Sequence, residues 1–205
     1  PAPVRVLGVN GAPNPDRIEE DELGLLRAVL EPVADDGAPP WLSTSPFELR
    51  VVRPSELLDE DLSLFDYDVI WLANVQSLSG EAVTRLEERV AAGASLIVSL
   101  GDNVNATAYD ARLFRADGSG LLPAELDVLV SIASMRGNYY RVKEFQEDHP
   151  ALAFFADKEW RSLLTEMPVY TFFAVRPLAD AEVLARFDDE SGSPLLVERA
   201  YDRGR

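Results

Sequence analysis

The sequence predicts an α/β fold with a mostly parallel central sheet, a helical layer on each face, and extra strands added at its C-terminal end. Three observations carry that reading. Short apolar runs recur at V-R-V-L-G-V (residues 4–9), Y-D-V-I-W-L-A (67–73) and S-L-I-V-S-L (95–100), each closed by a turn rich in Asn, Asp or Gly. Runs of that length bounded by turn residues fit strands buried on both faces. Amphipathic helical patterns alternate with the strands, as crossover connections between parallel strands require. The 205 residues, 47% hydrophobic, suffice for one domain, 1–205, with a substantial core.

The first strand ends in N-G-A-P-N-P. Asp16 is then an expected N-cap, with Glu19, Glu20, Asp21 and Glu22 suited to the positive end of a helix dipole. That helix puts Ile18, Leu25, Leu26, Val29 and Leu30 on one side, and Pro32 ends it. Residues 35–46 read as loop. F-E-L-R-V-V (47–52) alternates as a second strand, and a short turn over 54–61 should face Leu57 and Leu58 inward. Residues 67–73 form a third strand. Ser79 caps a helix with Val83, Leu86 and Val90 on one face and Gly93 just past its end. After residue 105 the pattern loosens: a helical turn over 108–114, a Gly-Ser-Gly joint at 118–120, and short helices over 150–155 and 160–164. Strands are expected at 169–175, 182–187 and 195–199, the last two as an antiparallel hairpin.

Composition excludes several functions. A formal charge of −17 argues against nucleic acid, whose phosphates are held by Lys and Arg, and would repel an anionic membrane surface. The absence of Cys removes disulfides, thiolate metal sites and cysteine nucleophiles together. No apolar run approaches the roughly 18 residues of a membrane span, so this segment is expected to be soluble, without direct membrane insertion. The chain opens at Pro1 and stops at Arg203-Gly204-Arg205 just after a strand, which leads us to expect an excised domain with a further strand beyond.

In a doubly wound sheet the chemistry lies past the carboxyl ends of the strands. The stretch S-L-I-V-S-L-G-D-N-V-N (95–105) is therefore the focal one. Gly101, Asp102, Asn103 and Asn105 form its turn, and Asp102, Asn105 and Asp110 offer hard oxygen ligands suited to Ca²⁺ or Mg²⁺. The plainer reading, which we favour, is that Asp and Asn here cap the next helix and brace the turn. Asn10, Gly11 and Asn14 after the first strand, with Asn74 and Gln76 after the third, complete a polar rim that could hold a small ligand or be the wet end of a sheet. Neither G-x-G-x-x-G nor G-x-x-x-x-G-K is present, so the rim is not a phosphate loop, and no cofactor is expected. His149 is the single histidine and lies in D-H-P, where a helix cap explains it without chemistry. The aromatic C-terminal third, Tyr139 to Phe173, is mostly core, with any exposed subset marking a docking surface.

The runs D-Y-D-V-I-W-L-A-N-V, L-S-G-E-A-V-T-R-L-E-E-R-V-A-A-G-A-S-L-I-V-S-L-G-D-N-V-N, A-Y-D-A-R-L-F and G-S-G-L-L-P-A, with V-N-G-A-P-N, D-H-P-A-L and V-L-A-R-F-D-D, resemble a domain of large bacterial membrane-anchored proteins. Those proteins, frequent in planctomycetes, pair membrane helices with a von Willebrand factor A domain. The resemblance covers most of the chain and implies a class I glutamine amidotransferase-like, flavodoxin-like fold in a membrane-anchored parent. Active members of that class carry a Cys on an elbow after the central strand, with His and Glu downstream. Here Gly101-Asp102-Asn103 occupies the elbow, and Ala151 follows His149-Pro150 where His-Pro-Glu is common. A carboxylate does not replace an activated thiolate. The expectation is thus a pseudoenzyme: a binding or scaffolding domain whose partners are other domains of the parent or an envelope protein. The alternatives are a hydrolase or metal-dependent enzyme using Asp102 with His149, and a sensor of small polar ligands or sugars.

Overall fold

The strand with the deepest burial is the first. In β1 (Val4–Asn10) the run Val6 to Asn10 is shielded from solvent, and β1 is hydrogen-bonded on both sides in a four-stranded parallel sheet of order β2-β1-β3-β4. Its partners are β2 (Phe47–Val52) and β3 (Val69–Ala73), in registers such as Val6↔Leu49 and Val6↔Val69. β4 (Ser95–Ser99) pairs with β3 and closes the sheet at one edge. The focal strand is therefore not buried on both faces as expected: Ile97 is 39% exposed. An apolar run cannot distinguish a central strand from an edge strand whose faces are only partly covered. These elements form one unit, residues 1–112 with 201–205, and residues 113–200 form a second. The computed structural model describes residues 2–31, 45–132 and 137–205.

Between the strands, α2 (Gly80–Ala91) matches its expectation in every particular. Ser79 Oγ accepts the Ala82 N–H at 3.1 Å, Ala82, Val83, Leu86 and Val90 are buried, and Gly93 takes a positive φ of 115° just past the end. The helix is tied to the preceding turns by Arg85, which donates to the carbonyls of Leu57 and Leu62 at 2.5 Å each.

The first helix departs from expectation. Residues 17–22 are turns and α1 spans only Gly24–Leu30, with no side-chain cap. The physical reason is Asp21. Its carboxylate accepts from Asn10 Nδ2 (2.9 Å), Asn14 N–H (2.9 Å) and Leu23 N–H (3.0 Å), folding the segment back onto the end of β1. Leu23 is buried, whereas Ile18, Leu25 and Val29 are exposed, so the predicted apolar face is not the packed one. Of the short turn at Pro54–Leu58, Leu57 is buried but Leu58 is exposed. Pro32 and residues 35–44 of the expected loop lie outside the described residues.

The second unit is antiparallel. β5 (Ala124–Ser131) pairs with β7 (Thr171–Pro177), and β6 (Val142–Phe145), β8 (Glu182–Phe187) and β9 (Pro194–Glu198) form a three-stranded sheet in that order. The β8–β9 hairpin is as expected; β6, four residues long with a register shift against β8, lies in a polar and aromatic stretch for which the sequence predicts no strand. The helices expected at 150–155 and 160–164 are a 3₁₀ turn at Ala153–Ala156 and α4 (Arg161–Thr165). Val142, Leu152, Leu184 and Ala185 make a buried cluster, with Phe145, Phe155, Leu164 and Leu195 packed against it. Tyr140, Phe172 and Phe187 pack in a second aromatic group, Phe172 and Phe187 with centroids 4.4 Å apart.

Candidate functional site

The strand order reverses between β1 and β3, and at that point a doubly wound sheet opens a crevice at its carboxyl edge. Asn10 ends β1 and Asn74 follows β3, and both are buried polar residues, 2% and 1% exposed. A buried amide is tolerated only when its hydrogen bonds are made, and both sets are made internally. Asn10 donates to Asp21 and accepts the Ala12 N–H at 3.1 Å.

Asn74 is the centre of the crevice. Its backbone is left-handed, φ 49°, a conformation Asn accepts more readily than other non-glycine residues. Its N–H still continues the ladder to Ser99 O at 2.9 Å. The side-chain amide donates to Glu22 Oε1 (2.7 Å) and Asp102 Oδ1 (2.8 Å), and its oxygen accepts the Asn103 N–H (2.9 Å). One buried side chain thus joins the turns after β1, β3 and β4. Two glycines make room for it. A Cβ on Gly101 would lie 2.4 Å from Asn74 Oδ1, and one on Gly11 would lie 2.0 Å from Asn74 O.

The remaining candidates serve the backbone. Asn105 Oδ1 accepts the Ala108 N–H at 3.0 Å, capping α3 (Ala106–Tyr109), and its own N–H bonds the carbonyl of Gln76 at 3.0 Å. The Gln76 side chain is exposed. Asn14 bonds Asp21 and Glu20 within the first turn. Asp110 closes α3 and opens a π-turn at Asp110–Phe114. Among the described residues no group of three or more His, Cys, Asp or Glu is arranged to hold a metal ion. Asn105, one of the proposed cation ligands, has its oxygen committed to capping.

Tyr109, 1% exposed, lies under this turn and donates to Val75 O at 2.7 Å. Burial pushes its hydroxyl up to about 12, so the neutral form is the one the fold stabilises. That contribution is complete below the unfolded tyrosine value near 10 and fades as the pH rises through about 12. We expect Tyr109→Phe to cost about 1–3 kcal/mol at neutral pH, because Val75 O loses its donor. The variant should also show a flatter loss of stability between about pH 10 and 12, read by urea titration of both proteins at several pH values.

In the second unit His149 is fully engaged. Its Nε2 pairs with Glu198 Oε1 at 3.1 Å, its Nδ1 accepts the Ala151 N–H at 3.3 Å, and its carbonyl accepts the Leu152 and Ala153 N–H groups at 2.8 Å. This is a turn-capping role. The same unit carries a cleft of about 510 Å³ lined among the described residues by Asn138, Tyr139, Tyr140, Arg141 and Asp188 with Ile132 and Gly137. Arg141 donates to the Tyr139 hydroxyl and sits over the Tyr139 ring, 4.8 Å from its centroid.

No protein-family model matches the sequence. No curated protein matches it. Solved structures do match. The cytoplasmic protein STM3548 from Salmonella typhimurium superposes with a TM-score of 0.61 at 15% identity, covering 98% of this chain and 84% of that one. Cytoplasmic protein STM1381 of Salmonella typhimurium LT2 gives 0.59 at 14% identity with the same coverage. The cold-adapted β-galactosidase from Rahnella sp. R3 gives 0.53 at 14% identity, covering all of this chain but 28% of that chain. The likeness is one of fold. It covers nearly the whole chain in each case and says nothing of shared chemistry at these identities. Among the described residues no helix is long and apolar enough to cross a membrane.

Of the expected rim, Gly11, Asn74, Gly101, Asp102 and Asn103 come together at the ends of β1, β3 and β4, whereas Asn10 and Asn14 bond within the first turn, Gln76 is exposed and Asn105 caps α3. Sequence reasoning missed Asp21 and Glu22, assigned above to a helix dipole. The only available signal was four consecutive acids directly after the first strand-end turn.

Proposed function

We propose that the chain is a catalytically silent domain of the class I glutamine amidotransferase-like, flavodoxin-like type. It acts as a binding or scaffolding module of a larger, envelope-associated and membrane-anchored protein, and its partners are other domains of that protein or an envelope protein. One observation carries the reading. At the strand-end switch point where such a domain would do chemistry stands the buried Asn74, whose amide is spent on Glu22, Asp102 and the Asn103 N–H. The turn supplies an acid and an amide where acyl transfer needs an activated nucleophile. The strand order β2-β1-β3-β4 agrees with the first four strands of the flavodoxin-like order. The modular role is supported by the β-galactosidase match, in which this fold makes up 28% of a longer chain.

The test is a glutamine hydrolysis assay beside a thermal-shift screen with Ca²⁺, Mg²⁺, glutamine and nucleotides, on the protein and on Asp102→Ala. A ligand at about 100 times its dissociation constant adds roughly 2.7 kcal/mol, which moves the midpoint of a domain this size by roughly 5–10 °C. We expect no hydrolysis and no such shift, and a loss of about 1 kcal/mol in Asp102→Ala because Asn74 keeps Glu22 as acceptor. Glutamine hydrolysis abolished by Asp102→Ala would overturn the reading.

A sensor of small polar ligands or sugars at a place other than the strand-end rim is a second reading, supported by the cleft lined by Asn138, Tyr139, Tyr140, Arg141 and Asp188, whose mixture of aromatic, amide, guanidinium and carboxylate groups is one that such ligands use. A sugar-dependent thermal shift that Tyr139→Ala removes would establish it.

A further inference from the structure

The glycine that brings β1 close to β3 also leaves a labile bond beside it. A Cβ at residue 11 would lie 2.0 Å from Asn74 O, so only glycine lets the two strand ends meet here. The residue before it is Asn10. An asparagine is open to attack on its side-chain amide carbon by the next backbone nitrogen, and a following glycine hinders that attack least. The chain has six asparagines, and the other five precede Pro15, Val75, Val104, Ala106 and Tyr139. Proline has no N–H to give up, and a Cβ on the next residue obstructs the approach, most of all when it is branched. Asn10 alone is followed by an unhindered nucleophile.

The fold holds every atom this reaction needs. The Gly11 N–H donates to Ala73 O at 2.8 Å, and Asn10 is paired with Ala73 in the β1–β3 register. The Asn10 side-chain oxygen accepts the Ala12 N–H at 3.1 Å, and its nitrogen donates to Asp21 Oδ1 at 2.9 Å. Asp21 is fixed in turn by the N–H groups of Asn14 and Leu23. Asn10 is 2% exposed, so bulk water and base do not reach its amide carbon.

We propose that Asn10 is a latent self-modification site, converted to aspartate or isoaspartate when the ends of β1 and β3 part. On opening, the Gly11 nitrogen gives its proton to hydroxide and attacks Asn10 Cγ. A C–N bond forms, the bond from Cγ to Nδ2 breaks, and Nδ2 takes a proton from water and leaves as ammonia. The five-membered imide then adds water at either carbonyl and opens to an aspartyl or an isoaspartyl residue. Water is the only co-reactant, and nothing is oxidised or reduced.

The change is one-way for the fold as well as for the bond. The aspartyl product sets a carboxylate against that of Asp21 where an amide now donates, and burial and like charge both oppose it. The isoaspartyl product adds a methylene to the main chain between β1 and Gly11, which displaces the Gly11 N–H from Ala73 O. Each opening thus exposes the native population to an irreversible step, and the lifetime of the protein follows how often the strand ends part. The proposal rests on the strand ends and holds whether or not the crevice is catalytically silent.

The test incubates the protein at mildly alkaline pH, native and in urea, and follows the tryptic peptide from Val6 to Arg17 by mass, with fragmentation to place the change. Hydrogen exchange at the Gly11 amide is measured alongside, from zero urea to the foot of the unfolding transition. We expect Asn10 to be the first asparagine converted in urea and the native protein to convert at least about tenfold more slowly. The native rate should rise through low urea in step with exchange at Gly11. Asp21→Ala should convert about tenfold faster than wild type without urea; the low-urea series on the wild-type protein decides the matter if that variant does not fold. Equal rates in the native and unfolded wild-type protein would overturn the proposal. So would conversion in urea that begins at another asparagine, or a native rate that stays flat while Gly11 exchange rises.

Discussion

Asn74→Asp is expected to be among the most damaging single-atom changes available in this protein. The substitution keeps size and shape and still accepts the Asn103 N–H. It places a carboxylate, 1% exposed, where the amide now donates to Glu22 at 2.7 Å and Asp102 at 2.8 Å. Three acids would converge with no donor between them. Burial and like charge act in the same direction, raising the pKa of the new group. Its folded value would then exceed its unfolded value near 4, so the deficit is large at neutral pH and shrinks as the pH falls toward 4. We expect a loss of about 3–5 kcal/mol at pH 7, the range for an uncompensated buried charge. Asn74→Ala should cost less, about 2–4 kcal/mol, from lost hydrogen bonds and a left-handed alanine. Its deficit should not depend on pH in the same way. Denaturant titrations of both variants between pH 4.5 and pH 7.5 distinguish them; equal and pH-independent losses would show that Asn74 is not the donor hub described.

The second large effect is expected at Gly11. A Cβ there would meet Asn74 O at 2.0 Å, Asn74 C at 2.4 Å and Val75 Cα at 2.6 Å, all main-chain atoms that cannot turn aside. The Gly11 N–H also bonds Ala73 O at 2.8 Å, so the two strand ends are held at this spacing. Gly11→Ala must part β1 from β3 at the mouth of the crevice or break that bond. A loss of about 3 kcal/mol or more is expected, above the usual range for overpacking because backbone must move. Gly80→Ala is the control. Nothing lies within 4 Å of a Cβ at Gly80, the first residue of α2, and alanine there should be neutral or stabilising by about 0.4–1 kcal/mol. Gly8→Ala should fall between, since the contact it makes at 2.6 Å is the Cδ1 end of the Leu23 side chain. Thermal midpoints in the order Gly80→Ala, Gly8→Ala, Gly11→Ala, highest first, are the expected outcome.

Much of the first unit was legible because its signals are local. The apolar face of α2, its Ser79 cap and its Gly93 terminator lie within one helix and its flanks, and all three hold. The alternation of strands and helices predicted an α/β chain with a parallel sheet, and the sheet is parallel in its four strands. Where a local signal had a non-local competitor, expectation failed. The acids at 19–22 look like the first turn of a helix, but Asp21 finds three donors on residues 10, 14 and 23 and the segment stays a turn. The short β6 gave no periodic pattern to read, and its pairing with β8 comes from residues about 40 positions away.

By itself the sequence determined the α/β class with a parallel sheet, the absence of thiol chemistry, and that Asn10, Asn74 and the Gly101–Asn103 turn lie at strand ends. These follow from composition and short-range periodicity, which need no knowledge of partners. Only the tertiary structure decided that β1, not β4, is the buried strand, and that a buried Asn74 stands at the strand-end switch point. It alone brought Glu22, with Asp21 beside it, to Asn74 and Asn10. It alone brought the Arg205 carbonyl to the Leu96 N–H. Each of those depends on residues from 11 to 111 positions apart meeting at hydrogen-bond distance. Hydrogen-bond partners are chosen by where the backbone brings donors and acceptors, and no pattern within a single stretch of chain encodes that choice.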